Sequence, residues 1–281
     1  QLIGGTGTDT ASYAHASGYV MASLTTGLAG FANQGHASGD TYSSIENLTG
    51  SDFGDTLIGD TGINILTGGT GDDVLEGMGG ADQLVGGTGT NTASYEHSAD
   101  AGGGIGVTAS LVAPAGNTGD AAGDTYNNIQ NLVGTAFADT LTGDNNANVL
   151  TGGDGNDIIS GGGGADTLYG NAGNDSITDD LNGAARIYAG DGDDTVTMTS
   201  DDNQLDLIDG GTGTDTLVWN YAGSLRVDIN MVGGTVQFAG PVSGTYANFT
   251  NFENVTAAGS NSLYVYADNN NNILTGGSGT G

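Results

Sequence analysis

Carboxylate and amide side chains recur in this chain at a fixed interval, each behind a glycine-rich stretch. The nonapeptide Gly68-Gly69-Thr70-Gly71-Asp72-Asp73-Val74-Leu75-Glu76 shows the arrangement most clearly. Glycine admits the positive φ angles of a tight turn and lets neighbouring turns approach closely, so turn carbonyls can face a common centre. A carboxylate at position six adds a hard oxygen ligand, and oxygens of both kinds suit calcium. Position six is held by Asp9, Asp55, Asn64, Asp73, Asp82, Asp139, Asn148, Asp157, Asp166, Asp175, Asp194 and Asp215, which are the candidate metal ligands. Asn64, Asn91, Asn148 and Gln130 are neutral at this position. Those loops are expected to bind weakly or to be held by side-chain hydrogen bonds alone.

The elements that must position these side chains follow from the same period. Nonapeptides run without a gap from 41 to 94 and again from 125 to 178, with isolated copies at 4–12, 189–197, 210–218 and 267–275. Position eight stays apolar through Leu48, Leu57, Leu66, Leu75 and Leu84, and again through Leu132, Leu141, Leu150, Ile159, Leu168 and Ile177. Turn-forming composition alone would not hold that column. Position eight therefore lies on a short strand and points inward, and two nonapeptides close one coil. Loops eighteen residues apart then stack. Asp55 and Asp73 share one edge, with Asn64 and Asp82 on the other. Asp139, Asp157 and Asp175 share an edge, with Asn148 and Asp166 opposite.

A longer repeat overlies the short one. Segments 13–40, 95–124 and 219–247 each follow a loop of the form Gly-Gly-Thr-Gly-Thr-Asp/Asn-Thr. The first two open Tyr-x-His (Tyr13, His15; Tyr95, His97) and close Gly-Asp-Thr-Tyr (39–42; 123–126). Each carries a period-two stretch, the mark of a half-buried strand: Val20, Ala22, Leu24; Ile105, Val107, Ala109, Leu111; and, in the diverged third, Leu225, Val227, Ile229, Met231. They read as enlarged coils or hairpins. Asn251-Phe252-Glu253-Asn254-Val255 then matches Ser44-Ile45-Glu46-Asn47-Leu48. The expected organisation is insert plus repeats over 1–94, the same over 95–178, an irregular coil over 179–209, and a third insert with partial repeats over 210–281, all in one continuous solenoid. Helix is expected to be nearly absent, given so much Gly, Thr, Asn and Asp.

Composition narrows the function. The formal net charge is −31, from 33 acids against Arg186 and Arg226. A chain with two basic residues has nothing to neutralise phosphates, which argues against nucleic acid and against an anionic membrane surface. Divalent cations are the natural counter-charge, and without them the acids repel one another. There is no cysteine, hence neither disulfides nor thiolate metal sites. No stretch is long and apolar enough to cross a bilayer as a helix. Gln1-Leu2-Ile3 reads as positions seven to nine of a repeat and 276–281 as the start of another, so the chain is expected to be a segment of a longer one or to stack end to end on copies of itself.

The nonapeptides resemble the RTX, or haemolysin-type calcium-binding, repeat family. The phrase Gly-Asp-Thr-Tyr-Ser-Ser-Ile-Glu-Asn-Leu-Thr-Gly (39–50), leading into Phe53-Gly-Asp-Thr-Leu-Ile-Gly-Asp, is similar to arrays in very large secreted bacterial proteins, adhesins and surface-layer proteins among them. The resemblance implies an all-β, right-handed parallel β-roll or β-solenoid that folds on several calcium ions. It also implies type I secretion and an extracellular or cell-surface location.

Catalysis finds no foothold in the sequence. The three histidines, His15, His36 and His97, form no His-Glu-x-x-His zinc motif. No Gly-x-Ser-x-Gly elbow leads from a strand into a helix. The recurrent aromatics Tyr13, Tyr42, Tyr95, Tyr126, Trp219 and Tyr221 are expected to cap the coil interior rather than form a carbohydrate platform. The expected function is a calcium-stabilised structural module of a surface layer, fibre or adhesin stalk. The alternative is the calcium-binding tail of a secreted enzyme or toxin.

Overall fold

The computed structural model describes residues 1–29, 31–99, 103–179, 183–199, 206–220, 226–230, 235–239, 244–258, 263–266 and 272–275. They divide into two compact units, Gln1–Thr135 and Ala136–Gly281. The second insert and the repeat that follows it fall in the first of these units. The fold is all-β and its sheets are mostly parallel. Helix among the described residues amounts to two three-residue 3-10 turns, Pro114–Gly116 and Gly119–Ala121.

In the first unit successive repeats alternate between two parallel sheets. One holds, in spatial order, Thr125–Asn127, Gln83–Thr88, Ile65–Thr70, Asn47–Thr49 and Thr10–Ser12. The other runs Asn131–Val133, Thr92–Ser94, Val74–Glu76, Thr56–Ile58 and Val20–Ser23, with Gln34–Gly35 added antiparallel. In register, Leu66 faces Leu84 and Leu57 faces Leu75, so each partner lies eighteen residues on. Every position-eight residue named above is fully buried. Each such aliphatic side chain contributes roughly 1.5–3 kcal/mol by leaving water. The residues flanking it are mostly more exposed, although Asn47, Ile58 and Glu76 are buried as well.

The second unit repeats the plan. Val149–Asp154, Thr167–Ala172, Arg186–Asp191 and Asp206–Thr212 form one parallel set. Ala138–Thr142, Ile158–Ser160, Ser176–Asp179, Thr195–Met198, Thr216–Asn220, Asn254–Ala258 and Ile273–Thr275 form the other. Within 179–209, expected to be an irregular coil, the described residues include the regular strands Arg186–Asp191 and Thr195–Met198 in register with their neighbours. The irregularity in the sequence is a change of spacing: the partner of Asp175 lies 19 residues on and that of Asp194 lies 21 on.

Two inserts are built alike. In the first, the Ser23 N–H donates to Asn33 Oδ1 (2.9 Å), and Tyr13 Oη meets Asp40 Oδ2 (2.7 Å) and Tyr42 Oη (2.6 Å). In the second, the Ser110 N–H donates to Asn117 Oδ1 (2.9 Å), and Tyr95 Oη meets Asp124 Oδ2 (2.9 Å) and Tyr126 Oη (2.5 Å). The tyrosines thus tie insert ends together by their hydroxyls. Val20, Ala22, Val107 and Ala109 are buried as the alternation predicts, but Ile105 is exposed because it opens its strand. In the third insert Arg226–Asn230 and Thr235–Ala239 pair antiparallel, a hairpin, while Leu225, Met231 and Tyr221 lie outside the described residues.

Candidate metal centre

The position-six side chains sit where a turn enters a strand, and Oδ1 of Asp73, Asp82, Asp157, Asp166, Asp175, Asp194 and Asp215 caps the stacked turn before it. The Asp55 N–H donates to Asp73 Oδ1 (2.8 Å) and the Asn64 N–H to Asp82 Oδ1 (2.8 Å). In the second unit the N–H groups of Asp139, Asp157, Asp175 and Asp194 donate in turn to Oδ1 of Asp157, Asp175, Asp194 and Asp215, at 2.8–2.9 Å. Opposite, the Asn148 N–H donates to Asp166 Oδ1 (2.8 Å). The two-edge placement matches the period of eighteen. Burying a backbone N–H without an acceptor costs about 1–3 kcal/mol, so the ladder is structural whatever else it does.

The second carboxylate oxygen separates the loops into two kinds. In closed loops the N–H of position two turns inward and donates to the position-six side chain. Asp60 N–H donates to Asn64 Oδ1 and Asp144 N–H to Asn148 Oδ1, each at 2.8 Å, and Ser51 binds Asp55 through both its N–H and its hydroxyl. In open loops position two takes a positive φ, +122° at Gly69 and +120° at Gly153, and its N–H faces away. There the Oδ2 atoms of Asp9, Asp73, Asp82, Asp157, Asp175, Asp194 and Asp215 are buried with no hydrogen-bond partner. Met78 and Asn171 adopt the same turn at φ 64° and 79° without being glycine.

These orphaned oxygens have a companion. A methyl group added to Gly68 would strike Asp73 Oδ2 and lie 2.7 Å from Gly86 O. On Gly152 it would strike Asp157 Oδ2 and lie 2.9 Å from Gly170 O. Carboxylate and turn carbonyl therefore aim at one small space that only a missing side chain leaves open. Among the described residues no three His, Asp or Glu side chains converge. Backbone carbonyls would supply the remaining ligands, an all-oxygen set that fits calcium and suits neither zinc nor copper.

Electrostatics agree. Burial, aggravated by neighbouring carboxylates and partly offset by the capped N–H, pushes Asp73, Asp82, Asp157 and Asp175 up to about 7. Asp215 rises to about 6 for the same reasons, and Asp194 shifts the same way. An ionised carboxylate cannot stay unpaired in such a place at modest cost: it takes a proton or a cation.

Where position six is an amide, an N–H takes the cation's part. Asn64 Nδ2 donates to Glu46 O (2.6 Å) and Asn91 Nδ2 to Asn128 O (3.0 Å). Asp55, Asn64 and Asn148, predicted as ligands, thus lie in loops closed by their own hydrogen bonds. Period-nine reasoning missed Asp124 and Asp206, whose Oδ1 atoms cap Asp82 N (2.8 Å) and Ala185 N (2.9 Å). Both sit two residues before an inward-facing strand position, which was the available signal. Of the histidines, His97 pairs through Nδ1 with buried Glu76 Oε2 (2.8 Å), a packing role, and exposed His36 meets Ser17 Oγ (3.2 Å).

A family model described as the RTX calcium-binding nonapeptide repeat (4 copies) matches residues 49–84, 58–93, 124–159, 142–177 and 182–205. No curated protein matches the chain. Repeats of this family bind calcium, and proteins that carry them are typically secreted. Residues 49–93, 124–177 and 182–205 are thus RTX calcium-binding nonapeptide repeats.

Proposed function

We propose that the chain is a non-catalytic structural module that folds and stiffens on calcium outside the cell, as part of a surface layer, fibre or adhesin stalk. The observation that carries this reading is the set of buried, partnerless Oδ2 atoms, those of Asp9, Asp73, Asp157, Asp175 and Asp215 beside a turn carbonyl, in a chain of net charge −31. An ion in an open loop would bridge stacked turns and cancel the repulsion between their carboxylates. For sites of about 10⁻⁴–10⁻³ M, millimolar calcium stabilises by roughly 0.4–1.4 kcal/mol each, and the sites stay empty at intracellular levels. Several such sites decide whether a protein of ordinary stability is folded. The sequence motifs and the cation site offer structure rather than a reaction, which favours a scaffold over the tail of an enzyme or toxin. Among the described residues no helix is long and apolar enough to cross a membrane.

The test is far-UV circular dichroism at pH 8 with millimolar calcium and with chelator. Strand signal should appear on calcium addition and vanish with chelator. An equally stable fold in chelator would defeat the proposal.

A further inference from the structure

We propose that the first insert carries a pocket for a single neutral sugar residue. The proposal goes beyond a calcium-stabilised scaffold and stands on the insert's own geometry. The strand Val20–Ser23, the loop that follows it and the closing residues 40–42 enclose a cavity of about 250 Å³. Ser23, Thr25, Leu28, Phe31, Asp40 and Tyr42 line it, and no position-six side chain does. A turn in which the Phe31 N–H donates to Leu28 O (3.2 Å) sets two apolar side chains on the loop. Thr26, Gly27, Ala32 and Thr41 also line the cavity and are exposed, so it opens to solvent.

The second insert shows what opens it. Both inserts are pinned by the same ties, a serine N–H on an asparagine and a tyrosine on an aspartate and a second tyrosine. Asn33 lies ten residues after Ser23, whereas Asn117 lies seven after Ser110. The longer loop brings in Leu28 and Phe31. The amide differs as well. Asn117 Nδ2 donates to Tyr126 Oη (2.9 Å) and closes over the tyrosine pair. Asn33 Nδ2 donates instead to the Asp40 carbonyl (2.9 Å), so that amide is not spent on Tyr42. Tyr95 is fully buried in the second insert, while its counterpart Tyr13 is half-buried in the first.

The lining selects the ligand. Residues 1–135 hold neither Lys nor Arg, in a chain of net charge −31, so nothing there would neutralise a phosphate, sulfate or carboxylate. Pockets for drug-sized ligands run to roughly 300–1,000 Å³, so this one holds a single ring rather than an extended chain. Leu28 and Phe31 offer an apolar wall to the C–H face of a sugar ring. The Asp40 carboxylate and the hydroxyls of Thr26 and Thr41 offer acceptors and donors to its hydroxyls. Asp40 Oδ2 accepts from Tyr13 Oη (2.7 Å), which fixes the carboxylate and leaves it acceptor capacity for a ligand. Tyr13 and Tyr42 keep their part as ties, and Phe31 is the ring against which the sugar packs.

Saturation-transfer NMR of the calcium-loaded full chain tests the pocket. The probes are glucose, galactose, mannose, fucose and N-acetylglucosamine, with choline and glucuronate as charged controls. At least one neutral sugar should receive saturation, and neither control should. Phe31→Ala should weaken that sugar roughly tenfold, the worth of one aromatic contact. Ala32→Trp, which fills the opening without removing a hydrogen bond, should abolish its binding, with both variants folded by circular dichroism in calcium. No transfer to any neutral sugar, or transfer that both variants retain in full, would overturn the pocket. Transfer to choline alone would overturn it as well, by marking a cation site. None of these outcomes bears on the calcium reading, which the chelator experiment decides.

Discussion

Asp157 separates cap from ligand. Its Oδ1 accepts the Asp139 N–H at 2.8 Å, its Oδ2 has no partner, and the residue is 1% exposed. Asp157→Ala removes both functions and leaves a buried N–H without an acceptor, a loss of about 1–3 kcal/mol with or without calcium. Asp157→Asn keeps the acceptor, as Asn91 does for the Asp73 N–H at 3.0 Å, but discards the charge. In chelator at pH 8 it relieves a buried carboxylate that sits above its usual range, so it should equal or exceed the parent in stability. In calcium it gives up a charge-assisted contact of about 1.5–3 kcal/mol, which weakens that ion roughly 10- to 100-fold. Calcium titration by circular dichroism and paired melts in calcium and chelator measure both arms. If Asp157→Asn lowers the melting temperature as much in chelator as in calcium, the carboxylate is a structural group and not a ligand.

Four further outcomes follow from the same geometry. Asp73, Asp82, Asp157 and Asp175 rise from 3.8 to about 7, so their protonation favours the calcium-free fold below about pH 4 and that help is lost as pH climbs through 7. Chelated protein should therefore melt higher at pH 5 than at pH 8, and calcium-loaded protein, whose ligands must be deprotonated, the reverse; parallel pH profiles would contradict this. Gly69→Ala, at φ +122° and against Ser51 O, should cost more than about 1 kcal/mol and weaken calcium binding, while Gly62→Ala in a closed loop should be nearly silent in the same melts. Leu150→Ala should cost about 2–5 kcal/mol by denaturant titration, with and without calcium alike. His97→Ala strips buried Glu76 of its side-chain partner and should cost about 1–3 kcal/mol, tested by chemical denaturation in calcium.

The legible part of this molecule is what the nine-residue period enforces. Position eight must be apolar because it is the whole interior, and Leu48 to Ile177 were readable for that reason. Edge assignments followed from counting by eighteen. The open and closed loops were half legible. Gly69 and Gly71 announce positive φ, and Ser51 and Phe53 announce its absence, but Met78 and Asn171 pay the strain without a glycine to mark it. Glu46 stands at position six of the repeat 41–49, yet its partner Asp9 lies across an insert, a distance no local period reports. Asp124 escaped because it closes an insert and follows no nonapeptide loop, and Asp206 because no glycine precedes it nearby to flag one. Regularity is written in spacing, whereas contacts across variable segments appear only once the chain is folded.

The eighteen-residue pairing also governs how such a chain can change in length. Deleting a single nonapeptide would carry every later strand to the opposite sheet, so that the Asp139 N–H would meet a residue from the wrong edge. Removing or duplicating two nonapeptides leaves every cap, carbonyl and aliphatic layer with an equivalent partner. Copy number in this lineage should therefore drift in pairs of repeats. The inserts, bounded by self-contained tyrosine and glutamate closures, are the places where length can vary one residue at a time.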